Sequence, residues 1–215
     1  MLTSFARAGI VRVRTPVIKR FYYNKAESNP KVLEKIDGLS KKSPLFKRLH
    51  EIIGDSKRSY IAKYAEGPTN HSSFNKDART VTILNAAASA YHYYHEWAHM
   101  VSFDSMANNC SEETAVQYLD KPAVRLADEY FAYFVQNVSE GGSPEYAAKV
   151  AAEMIPIYVK AYGYTDKDIK KFKEMYNVSP KIFSGQREII KSVGGLEIAD
   201  NEIAKIPILI EVSAR

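Results

Sequence analysis

Two histidines and a glutamate fall within five consecutive residues, His95-Glu96-Trp97-Ala98-His99. On a helix, residues four apart project from one face, so His95 and His99 can offer two imidazoles to a single Zn²⁺. Glu96 follows the first histidine directly, where its carboxylate reaches a water at the open coordination position rather than the metal. Zinc acidifies such a water to a pKa of ~7, and Glu96 is suited to take its proton and pass it to a departing amine. The expected chemistry is hydrolysis of an amide, with His95 and His99 as metal ligands and Glu96 as general base. With five histidines in 215 residues, chance yields this pattern on the order of 0.01 times per chain, so it carries weight.

The spacing works only on a helix, and the surroundings favour one. Ala86-Ala87-Ala88 opens the segment and no Pro or Gly interrupts 86–103, which predicts a helix over about 88–103. The β-branched run at 80–85 predicts a strand just before it, in the place of an edge strand that would pair with substrate, and 59–65 predicts another. Residues 67–77 read as a polar loop. Upstream, Ser43-Pro44 caps a helix with an apolar stripe of Leu45, Leu49, Ile52 and Ile53, stopped by Gly54. Downstream the pattern is almost wholly helical. A short helix follows Ser111, another covers about 122–138, and Ser143-Pro144 opens one that is kinked by Pro156 and stopped by Gly163. Thr165 caps a last one ending near Asn177, and 206–212 reads as an edge strand broken by Pro207. The expected fold is α+β, mostly helical with a small early sheet, in a domain over 30–215 preceded by a basic segment over 1–29.

The His95–His99 run resembles the signature of the zincin metallopeptidases, and the resemblance implies a zinc-dependent metalloendopeptidase with a zincin-like domain. No histidine follows in 100–110, so the metzincin third ligand is missing. Gluzincins take a glutamate from a second helix, and Glu129 with Ala132 is similar to their Glu-x-x-Ala pattern, which implies Glu129 as the third ligand. Tyr133 stands where the fuller pattern has Asp, and Asp128 is a substitute for that supporting role. Glu112, Glu113, Asp128 and His71 remain alternative ligands; Glu112 and Glu113 also suit the first turn of a helix, where the dipole favours acids. His92, a turn before His95, is too far from His99 to share its metal and is expected to line the cleft. Trp97 points away and is expected in the core. The order of elements over about 43–138 also resembles bacterial effector and polymorphic-toxin zinc peptidases, and a further likeness is the zinc peptidase-like domain of phage and stress regulators. The effector likeness implies a protein substrate in a host cell.

Charge argues against nucleic acid. Residues 1–26 carry six basic side chains and no acid, and subtracting those six from 30 basic residues leaves 24 against 25 acidic ones. The remainder is close to neutral, without the basic face that phosphate backbones require. The acid-free, Arg-rich leader fits a mitochondrial presequence, an effector leader or a plain tail equally. One cysteine, Cys110, excludes an internal disulfide and favours an intracellular workplace. No apolar run is long enough for a membrane span. The partner expected is a protein or peptide substrate. The competing reading is a non-catalytic zinc-binding interaction protein, against which Glu96 counts, since a structural site needs no base; a third is a zinc hydrolase of small amides.

Overall fold

Two proline-started helices open the fold. In the computed structural model, which describes residues 24, 27–69, 71–178 and 181–208, they are α1 (Pro30–Ser40) and α2 (Pro44–Gly54). The Asn29 side chain accepts from the Lys31 N–H and Ser43 from the Phe46 N–H. Each cap thus stands just before a proline that has no N–H to leave unpaired. Val32, Ile36 and Leu39 of the first helix and Leu45, Phe46, Leu49 and Ile53 of the second enter the core.

Strands β1 (Ile61–Tyr64), β2 (Ser73–Asn75) and β3 (Thr80–Ile83) follow, in the order β1-β3-β2. β3 pairs parallel with β1, with Ile61 beside Thr80, and antiparallel with β2, with Ser73 beside Thr82. Two expectations change here. The strand at 80–83 is central rather than at an edge, and β2 lies inside the segment read as a loop. Its three residues carry one apolar side chain, Phe74, too few to show alternation. That ring lies 6.5 Å from Tyr60 and 5.8 Å from Phe103, centroid to centroid, and this packing holds the strand. The reversal into β3 uses Arg79 at φ 50° and the Asn75 side chain, which accepts from the Ala78 N–H. The outer side of β1 is taken by Asn24, whose N–H donates to Tyr60, and Asn29, whose N–H donates to Ala62.

Seven helices complete the described residues: α3 (Ala90–Asn109), α4 (Glu112–Leu119), α5 (Pro122–Ser139), α6 (Pro144–Tyr162), α7 (Asp166–Val178), α8 (Ser184–Ser192) and α9 (Leu196–Lys205). α3 is buried on nearly every side, with Tyr93, Trp97, Met100, Phe103 and Met106 in the core, as befits a helix packed between α2, the sheet, α4, α5 and α8. It runs past the expected end at 103 because Met106 and Ala107 continue the buried face. α6 continues through Pro156 and ends at Gly163, whose left-handed φ of 67° favours glycine. At α7, Asp168 accepts from both the N–H and the hydroxyl of Thr165.

α8 and α9 were not expected from the sequence. α8 opens on Ser-Gly, a poor helix start, yet Gly185 is required there: a Cβ on it would fall 1.9 Å from Ser105 Oγ and 2.4 Å from Ser105 Cβ. Beside it the buried Gln186 amide donates to Ser102 Oγ at 2.7 Å, seating α8 on the back of α3. Of the strand expected at 206–212, residues 206–208 leave α9 without strand pairing, and the rest lies outside the described residues, as does the leader at 1–23. The fold is α+β, mostly helical with a small early sheet. Among the described residues no helix is long and apolar enough to cross a membrane.

Candidate metal centre

α3 and α5 pack against each other and bring His95, His99 and Glu129 to one point. His95 Nε2 lies 3.1 Å from His99 Nε2 and 3.5 Å from Glu129 Oε2, and His99 Nε2 lies 3.6 Å from Glu129 Oε1. Ligands at 2.0–2.2 Å in a tetrahedron stand about 3.3–3.6 Å from one another, so the three groups are spaced such that they could hold one metal ion. Two imidazole nitrogens at 3.1 Å also repel unless a proton or a cation lies between them. The donor set fits the ion.

The two histidines are held differently. The Nδ1–H of His99 donates to Asp128 Oδ2 at 2.7 Å, which fixes the tautomer and leaves the Nε2 lone pair for a metal. Asp128 thus lies on the far side of the ring rather than with the metal-facing atoms. His95 Nδ1 is buried with no hydrogen-bond partner among the described residues. That ring is braced by Tyr133, edge-on at 4.7 Å and 67°.

Electrostatics sharpen the site in its metal-free state. Burial alone would push the His99 pKa down, but the Asp128 and Glu129 carboxylates outweigh it and hold the ring at about 9. Burial would raise Glu129, yet His99, His95 and Arg125 bring it to about 2. Glu96, also buried, is raised by that burial, partly offset by both histidines, the direction that improves a carboxylate as a base near neutral pH.

The remaining nominated residues stand outside the three-residue cluster. Glu112 pairs with Arg79 at 2.7 Å and with Arg58 at 3.4 Å, and Glu113 is exposed. His71 and His92 line the same cleft, His92 against the Tyr91 ring at 3.9 Å. Trp97 is fully buried beside Phe46. The cleft, about 420 Å³, is walled by β2, α3, α5 and α6. Sequence reasoning missed Arg125 and the pair Tyr158 and Tyr162. Arg125 stands four residues before Glu129 and so on the same helix face, a legible signal. The tyrosines carried none, because aromatic residues at helical spacing are ordinary core.

Compared with protein-family models, with curated proteins and with solved structures, the chain gives no significant match in any of the three. The site therefore stands on its own geometry.

Proposed function

We propose that the chain is a zinc-dependent metallopeptidase acting on a protein or peptide. The observation that carries this reading is the triangle of His95, His99 and Glu129 at 3.1, 3.5 and 3.6 Å with a buried glutamate, Glu96, on the same cleft wall. Zinc held there supplies an acidified water and a Lewis acid for the carbonyl. Glu96 accepts the proton of the attacking water and returns it to the departing amine. Asp128 keeps His99 in the tautomer that presents Nε2. Tyr133, Tyr158 and Arg125 wall the cleft beside these groups and limit the entry of bulk water. An extended backbone has a natural resting place along β2, where Ser73 and Phe74 border the cleft.

Metal analysis of the purified chain, paired with proteome-wide detection of new peptide termini, tests the proposal. One zinc per chain is expected in the native protein and in Glu96→Ala. Proteolysis is expected only in the former, with a rate loss of about 10²–10⁴-fold. A purified chain without zinc, or a fully active Glu96→Ala, would sink it.

A further inference from the structure

We infer that Arg125 is a carboxylate-binding fork, so that the favoured substrates carry a carboxylate, on an acidic side chain or at a free C-terminus, beside the scissile bond. This rests on the peptidase reading above. Arg125 projects from α5 one turn before Glu129. Its Nε lies 3.4 Å from the Tyr158 hydroxyl and 3.6 Å from Glu129 Oε1, which fixes one edge of the guanidinium. The two terminal nitrogens, with four of the five donors, have no hydrogen-bond partner among the described residues, although the side chain is only 35% exposed. A planar cation held at one edge and open at the other matches a carboxylate in bidentate fashion.

The surroundings favour this use. Arg125 lines the cleft, and Tyr158, its partner, stacks on Tyr162 at 4.1 Å and 20° to wall that side. The other cation on the cleft wall, Lys76, is already paired with Asp77 at 3.3 Å and Asp120 at 3.0 Å, so Arg125 is the one with donors to spare. With a dication in place, Glu96, Asp128 and Glu129 are balanced by the metal and Arg125, so an arriving anion meets no net negative charge. Arg125 sits one ligand away from the metal position. A group on its outer edge therefore lies within a few residues of chain, at ~3.5 Å each, of a bond held there.

The test uses the zinc-loaded full chain and a library of peptides from a digested proteome. Cleaved peptides are resynthesised as Asp/Asn and Glu/Gln pairs and with free or amidated C-termini, which separates the two sources of carboxylate. The expected kcat/KM ratio of carboxylate to amide is roughly tenfold to a hundredfold, falling to about one in Arg125→Met and partly kept in Arg125→Lys. A binding measurement independent of turnover accompanies it: calorimetry of succinate against succinamate on zinc-loaded Glu96→Gln. Succinate should bind roughly ten times more tightly, and the preference should vanish when Arg125→Met is added. A ratio near one in the native chain, or one that survives Arg125→Met, overturns the inference and leaves the peptidase reading standing. An equal loss of rate on every peptide in Arg125→Met overturns it too, assigning Arg125 to the reacting carbonyl. No cleavage beyond that of Glu96→Gln ends the peptidase reading, and the succinate titration still decides on the fork.

Discussion

Near the C-terminal end of α3, Asp104 is buried and both its oxygens are taken. Oδ1 accepts from Ser56 at 2.5 Å, Tyr60 at 2.8 Å and Arg58 at 3.2 Å, and Oδ2 from Asn108 at 3.1 Å. About a turn and a half earlier on the same helix, His99 stands with Asp128, Glu129 and Glu96, and there the acceptors face one another. His95 and His99 meet through their Nε2 atoms, Glu129 finds only ring nitrogens and Arg125, and His95 Nδ1 and Asp128 Oδ1 lack partners among the described residues. A buried charge that serves the fold closes its own hydrogen bonds. A cluster that leaves several acceptors converging on one point calls for a proton or a cation between them. Burial is common to both, so the direction of the lone pairs is what separates a staple from a site.

The comparison breaks most sharply at the ligands. His95→Ala or His99→Ala should reduce zinc from one per chain to near none while the fold survives, read by metal analysis beside circular dichroism; zinc near one in either variant would remove the basis for the contrast. Asp104→Ala should do the reverse. It strands the Tyr60, Ser56 and Arg58 donors and should cost about 3–5 kcal/mol in chemical denaturation, with zinc stoichiometry unchanged.

Next comes pH. In the metal-free protein His99 sits at about 9 against 6.5 when unfolded. Its stabilising contribution, about 3 kcal/mol, is complete below pH 6.5 and drains away as pH rises to 9. Denaturation midpoints across that window should fall in metal-free native protein and stay flatter in His99→Ala. On the proposed zinc reading the metal would have to displace the same proton, so its apparent affinity should climb over the same range. The smallest effects separate the two carboxylate candidates on either side of the site. Asp128→Asn should weaken zinc by about 10- to 100-fold through loss of the His99 anchor. Glu112→Gln should leave zinc affinity unchanged and alter stability by less than about 1 kcal/mol, since Glu112 is itself 39% exposed and its shorter pair, with Arg79, is open to solvent on both sides.

Sequence made some of this legible for definite reasons. The histidine spacing lay within one helix, so the local periodicity placed both rings without any knowledge of the fold. Ser43-Pro44 and Ser143-Pro144 mark helix starts because capping is chemistry between near neighbours. Glu129, by contrast, had to be singled out by likeness to a known pattern, since nothing local ties residue 129 to residue 99. β2 was hidden because its stability comes from Phe74 meeting Tyr60 and Phe103, partners distant in the chain. α8 was hidden because its opening glycine answers to Ser105 of another helix rather than to helix propensity.

That glycine constrains how the sequence can drift. Ser105 and Gly185 share a space too small for two side chains, since even Ser105 Cβ would stand 2.4 Å from a Cβ on residue 185. Alanine at 185 is tolerable only in a lineage that has already lost the side chain at 105. In the opposite order the intermediate must push α8 off the helix that carries His95 and His99. Two changes that look independent in an alignment therefore have a permitted order, and any homologue with a side chain at 185 should carry glycine at 105.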